Sequence, residues 1–425
     1  MSDSAVVRTP QASTESQRRN VYVFGATSFL NDTASEMAYW VLPAFLASLG
    51  VGPEKLGLIE GIAESVASFT KLFSGYLADR ASRRKPIVVT GYLVANAVKP
   101  ILALATSWWH VLFIRFADRL AKGVRGAPRD VMLAESVPSD KAGSAFGLLQ
   151  SMDSAGAVAG PLLALWILRS HGLRSVFWAA LIPGGLCILV SLLGIREAHR
   201  KPAYHTTGSF SPEPDAARLD SPTLSADEEI EDAAPWRSLP ASFYYVLAIV
   251  TLFSLGNSSD MFLVLRAQNV GIAAAYAPLL GLVFNITYTA ISWPAGSLSD
   301  RLPRKVIAAA GYLVFAFVYF VFAWAPGKPA IWGAMAIYGL FYALTAPVLK
   351  ALISETVPAE VRGRAFGIYY FTTSIATLLA SIVTGELWKH YGAPIPLGLS
   401  AALALVCSLL LLLASRKPSA AELPV

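Results

Sequence analysis

Apolar windows of about 20 residues, the length that crosses a bilayer core of roughly 30 Å, recur along this chain between short polar breaks. They fall near 21–49, 56–78, 86–105, 108–135, 143–169 and 174–195, then near 241–268, 275–299, 305–325, 329–356, 363–388 and 393–415. A helix satisfies its own backbone hydrogen bonds in lipid, and no stretch shows the short alternating strands of a barrel. The pattern predicts an all-α integral membrane protein with twelve transmembrane helices. A polar segment rich in Ser and Pro, ending acidic in DEEIED, parts the windows into two sets of six and cannot bury a core. The expected organisation is a disordered tail over 1–20, a six-helix half over 21–195 and a linker over 196–238. A second six-helix half follows over 239–415, then a tail over 416–425.

The two sets are copies of one unit. GYLADRASRRKP from Gly75 returns as GSLSDRLPRKV from Gly296, an offset of 221, and GYLV at 91 returns at 311, an offset of 220. ESVPSDKAGSAFG from Glu135 returns as ETVPAEVRGRAFG from Glu355 at the same 220, and SEM at 35–37 is echoed by SDM at 259–261. Blocks this far apart holding nearly one offset mark a duplication.

Composition changes the picture little. A net charge of +6 would suggest nucleic acid in a soluble protein, but in this 55% hydrophobic chain the Lys and Arg crowd alternate loops. With the N-terminus inside, the outer loops hold only Lys55, Arg169, Arg174, Lys328 and Lys389, so both termini and the linker are expected in the cytoplasm. Cys187 and Cys407 sit in separate apolar windows, without disulfide or metal spacing. No nucleotide loop, metal cluster or nucleophile–base arrangement stands out, so neither an enzyme nor a cofactor nor a nucleic-acid partner is expected.

Twelve spans as six plus six, with G-x-L-x-D-R-x-x-R-[RK] between spans two and three and again between eight and nine, resemble the major facilitator superfamily. The copies depart from the family at Ser82 and Pro303, where Gly is usual. The resemblance implies a rocker-switch carrier in the cytoplasmic (inner) membrane, with its substrate site between the halves near the midplane. It also implies a cytoplasmic gate. Asp79 of the motif would meet the start of the eleventh span near Gly363, and a motif arginine would pair with Glu135, with Gly75, Arg80 and Arg83 assigned to the same gate. Asp300, Arg304 and Glu355 would repeat the arrangement.

The fourth window carries RFADRLAKGVRGAPRD. On a helix, Arg115, Arg119, Lys122 and Arg129 share an arc of roughly 80°, bordered by Asp118 and Arg125. Charge facing lipid costs several kcal/mol, so this stripe is expected to face a wet interior. Asp32 and Glu36 on the first span, Glu60 and Glu64 on the second, and Asp153 on the fifth offer counter-charges. Lys71, Asp118, Arg125 and Asp130 read as neutralising pairs. Asp32, Glu36, Glu64 and Arg119 read as proton-coupling candidates, Arg119 because RLAKGVRGA is similar to the superfamily's R-x-x-Q-G-x-G-x-A. The expected substrate cavity comprises Arg115, Arg119, Lys122, Arg129, Asp153, Asn257, Asp260, Asn285 and Lys350. Gly147, Gly156, Gly160 and Pro161 are similar to an antiporter motif, although close helix packing accounts for glycines at such spacing. The function expected is proton-coupled transport of a small organic solute, leaning to efflux, by a monomer in the lipid bilayer drawing on the proton gradient. The alternatives are a proton-coupled importer of an organic anion and, more remotely, a receptor or membrane enzyme on the same fold.

Overall fold

The computed structural model describes residues 14–51, 53–197, 239–273 and 276–414. The expected terminal tails fall mostly outside them, over 1–13 and 415–425, as does the linker from 198 to 238. The described chain is almost wholly helical, with no strand among the described residues. The first half comprises α1 (Thr14–Ser48), α2 (Pro53–Arg80), α3 (Lys85–Val98), α4 (Trp108–Glu135), α5 (Ala142–Leu168), α6 (Leu173–Ala179) and α7 (Leu181–Gly194). The second comprises α8 (Ala241–Ser254), α9 (Met261–Asn269), α10 (Ala277–Ser299), α11 (Arg304–Ala323), α12 (Lys328–Thr356), α13 (Arg362–Tyr391) and α14 (Pro394–Ala414). α6 and α7 form one pass, because Gly184 N–H bonds the Ala180 carbonyl across their junction at 3.0 Å. With α8 and α9 also taken as one pass, the helices make twelve passes.

Seven of these passes are long and apolar enough to cross a membrane by length and composition alone. α1, α2 and α4 are not among them, and each carries charged residues along its length. α4 shows the logic, an amphipathic helix turned inside out for lipid. Phe113 is 68% exposed on its outer face, whereas Arg115, Asp118, Arg125 and Asp130 are buried on its inner face.

The seventh pass departs from the continuous helix expected over 241–268. Residues 255–260, Leu-Gly-Asn-Ser-Ser-Asp, leave the helix between α8 and α9. Glycine spends backbone entropy in a helix, and Asn, Ser and Asp side chains compete for its backbone groups. The first pass also starts earlier than expected, at Thr14.

Within the first half α1 packs on α5, and α2 and α3 on α4; in the second, α12 packs on α10 and α11, and α11 on α14. The halves meet through two equivalent pairs, α2 against α13 and α5 against α10. Glycine permits both. A Cβ on Gly75 would lie 2.3 Å from the Gly363 carbonyl oxygen, and one on Gly296 would lie 2.2 Å from that of Gly143. The second half has the larger apolar core, with Tyr312, Phe315, Tyr319, Phe322, Tyr338 and Phe341 all buried. Phe253 stacks on Tyr312 at 3.9 Å and 7° between planes.

Candidate functional site

The loop motifs clamp one end of the bundle. The two oxygens of the Asp79 carboxylate accept the backbone N–H groups of Gly363 and Arg364, both at 2.7 Å. Asp300 accepts those of Gly143 and Ser144, both at 2.8 Å. Each aspartate thus sits on the first turn of a helix in the opposite half, where N–H groups without intrahelical partners and the helix dipole favour an anion. Arg304 bonds Glu355 at 2.6 Å and Asp300 at 3.2 Å, and reaches across the halves to the Ser139 carbonyl at 2.6 Å.

The motif arginine that pairs with Glu135 is Arg84, at 2.7 Å, and not Arg80 or Arg83, the two assigned to the gate. Arg84 is buried at the start of α3, and its Nε also donates to the Ala78 carbonyl at 2.6 Å. Arg80 lies over the Tyr76 ring at 4.2 Å, and Arg83 is exposed.

Deeper in the bundle, a cavity of about 170 Å³ opens between α1, α2, α4 and α5 of the first half and α12 and α13 of the second. Asp32 from α1 and Asp153 from α5 share it with Lys71, Lys122, Arg125, Arg129 and Lys350. Asp153 accepts the Ser28 hydroxyl at 2.6 Å and Asp32 accepts the Asn31 amide at 2.9 Å. Tight packing of α1 on α5 brings these carboxylates together. A Cβ on Gly156 would lie 2.6 Å from the Phe29 carbonyl, and one on Gly160 would lie 2.7 Å from Glu36 Cβ. Close packing therefore suffices to explain the two glycines.

Behind the cavity wall, fully buried Asp130 links the halves. It pairs with Arg129 at 3.0 Å and with Lys350 of α12 at 3.7 Å, and it accepts the Tyr370 hydroxyl of α13. A smaller cavity of about 40 Å³ continues toward the opposite end, where Glu36, Arg115, Asp118 and Arg119 join Asp32, Lys122 and Arg125. Beyond it, buried Lys99 bonds Asn96 at 3.0 Å and lies 3.8 Å from Asp118.

The structure thus brings Asp32, Glu36, Arg115, Arg119, Lys122, Arg129, Asp153 and Lys350 to two adjoining cavities. The Glu64 side chain lies outside the described residues. Asn285 bonds the Gly281 carbonyl of its own helix at 2.9 Å and lines neither cavity. Asp260, at the break in the seventh pass, also lies elsewhere, as does Asn257 in the same break. The Asp260 carboxylate accepts the Tyr338 hydroxyl at 2.7 Å and that of Tyr342 at 3.4 Å. Lys71, Arg125 and Asp130, read from sequence as neutralising pairs, stand in or against the cavity wall. Lys99 was missed. Lys99 stands inside the apolar window 86–105, just before Pro100, which is an unusual place for a lysine unless it has a partner.

Comparison with known proteins agrees with this fold. The family model described as Major Facilitator Superfamily matches residues 24–265 and 244–425. An uncharacterized MFS-type transporter of Methanocaldococcus jannaschii is 32% identical over 379 residues, covering 87% of this chain and 89% of that protein. The multi-drug resistance efflux pump PmrA of Streptococcus pneumoniae is 25% identical over 388 residues, covering 85% and 88%. Among solved structures, the human organic anion transporter MFSD10 superposes with a TM-score of 0.73 at 15% identity, covering 95% of this chain and 100% of that one. At that identity the likeness is one of fold.

Proposed function

The chain belongs to the major facilitator superfamily of transporters, and we propose that it is a proton-coupled carrier exporting a small organic solute by alternating access. The observation that carries this reading is the cavity between the halves, in which the Asp32 and Asp153 carboxylates sit beside a row of cations. A carboxylate whose surroundings alternate between wet and closed gains and loses a proton as the carrier turns over. Asp32 and Asp153 hold the coupling proton, Glu36 lies on the route toward the opposite end, and Arg119 counters their charge. The Asp79 and Asp300 clamps hold the motif end shut and break for that end to open. The motif end faces the cytoplasm and the protein works as a monomer in the cytoplasmic membrane, with no cofactor beyond the proton gradient.

Export is supported by the relative named as an efflux pump. A second reading, proton-coupled import of an anion, is favoured by the cations lining the cavity. Purified protein in liposomes loaded with a pH-sensitive dye separates the two. With cationic, neutral and anionic solutes added in turn, an exporter by antiport moves protons opposite to its solute. Protons travelling with an anion would establish import instead. No proton movement with any solute in a broad panel would remove the coupling.

A further inference from the structure

We infer that the solute of this cavity is a small dianion, a dicarboxylate or phosphate monoester in chemistry, held by Lys122, Arg125, Arg129 and Lys350. The inference rests on the carrier reading above but not on its direction.

Charge carries the argument. Among the described residues lining the cavity, five cations face two carboxylates, Asp32 and Asp153. Asp130, behind the wall, adds a third negative charge but serves both Arg129 and Lys350. Among the described residues that line or back this cavity, cations outnumber carboxylates by two. The smaller cavity does not change this, because it adds Arg115 and Arg119 together with Glu36 and Asp118.

Two side chains show where the excess lies. Arg125 is 4% exposed, and its Nη1 has no hydrogen-bond partner among the described residues. Its guanidinium rests on the Tyr92 ring at 4.4 Å and makes no ion pair among the described residues. A buried guanidinium without a counter-ion is costly, and buried donors are nearly always satisfied. Lys122 stands three residues earlier on α4, open to the cavity, and also makes no ion pair among the described residues. Both face a space with room for on the order of ten non-hydrogen atoms. A guanidinium fork and ammonium groups around such a space match carboxylate or phosphate oxygens.

The lining also excludes other solutes. Apart from Gly126 and Tyr370, every described lining residue is charged, so the apolar surface open to a lipophilic drug is limited to the Tyr370 ring and the stems of charged side chains. An organic cation meets the excess positive charge. The position of Lys350 adds a mechanical consequence. Among the described residues it is the one lining cation from the second half, so a dianion spanning Lys122 and Lys350 bridges the halves and competes with Asp130 for Lys350.

The test is a thermal-unfolding titration of the purified full-length protein at constant ionic strength, with succinate, phenyl phosphate, acetate, glycerol and choline as probes. The expected result is stabilisation by succinate or phenyl phosphate at concentrations at least tenfold below acetate, and none by glycerol or choline. Lys122→Gln and Lys350→Gln should each weaken the dianion by about tenfold, and Lys122→Arg should restore it. Stabilisation by choline or glycerol but not by dianions overturns the inference, as do unchanged dianion titrations in both Gln variants. The same panel in the dye-loaded liposomes keeps the two readings apart. Dianion binding without proton movement removes the proton coupling and leaves the charge assignment. Proton movement on choline alone does the reverse.

Discussion

α4 and α12 are copies offset by 220 residues, so Tyr338 stands in the place of Asp118, Tyr342 in that of Lys122, and Lys350 in that of Asp130. The packing beneath them is also repeated. A Cβ on Gly91 would press on Arg125, and one on Gly311 would press on Thr345, the equivalent residue. Yet α4 presents charge to the cavities, whereas α12 buries Tyr338 and Phe341 in an aromatic core. Where α4 carries Asp118 and Lys122, α12 offers two hydroxyls to Asp260, the counterpart of Glu36 in the SEM and SDM echo. Duplication has preserved the backbone while the two halves divided the chemistry. The first half holds most of the charge that lines the two cavities, and the second holds the larger aromatic core. Lys350 is the exception, the point where α12 enters the charged site.

If that division holds, the largest effect should come from the residue joining the two chemistries. Asp130→Asn leaves Arg129 and Lys350 buried without their shared counter-ion, a loss of about 3–5 kcal/mol. It should abolish transport and sharply lower the unfolding temperature, whereas Lys350→Met, which also removes a charge, should cost less stability. Next come the clamps. In Asp79→Asn or Asp300→Asn one of two backbone N–H groups loses its acceptor, about 1–3 kcal/mol. Either variant should slow turnover about tenfold while leaving solute affinity within a few-fold. Because the clamps are symmetric, the two variants should match in initial-rate assays, and a large difference would show that the halves do not share the closure equally. The smallest effects should come from the aromatic half. Tyr338→Phe removes a 2.7 Å hydroxyl from Asp260 and should cost about 1 kcal/mol in thermal unfolding. Tyr342→Phe, at 3.4 Å, should change transport by no more than two- to threefold.

Much of this was legible in the sequence because duplication supplies its own alignment. The twelve passes and the inward stripe on α4 follow from window length, repeated motifs and helical angle, and the aspartates at the starts of α5 and α13 from the family resemblance. What was missed depends on how helices lean on one another. Helical angle gives a face but neither depth nor partner, so Arg125, Lys71 and Asp130 could not be placed in the cavity wall. The Glu135 partner is instructive. The offset is 221 at the loop motif and 220 from Gly91 onward, and under 220 the counterpart of Arg304 is Arg84, not Arg83. That shift was readable, and the motif's own register concealed it. The break at 255–260 was also present in its run of Gly, Asn and Ser, but a window average passes over five polar residues between apolar helices. Asp260 and Asn285 were expected in the cavity because both are polar and lie in spans; one is satisfied by tyrosines and the other by its own helix.

The central claim, that the first half couples solute to proton, is tested most directly by comparing exchange with gradient-driven flux in Asp32→Asn. In liposomes carrying the solute found by the dye screen, exchange requires only that the carrier reorient loaded, whereas net flux against a gradient requires the proton site. The account predicts exchange within a few-fold of wild type and gradient-driven flux reduced at least tenfold. Gradient-driven flux at the wild-type level in Asp32→Asn and in Asp153→Asn alike would contradict it and place the coupling proton elsewhere in the molecule.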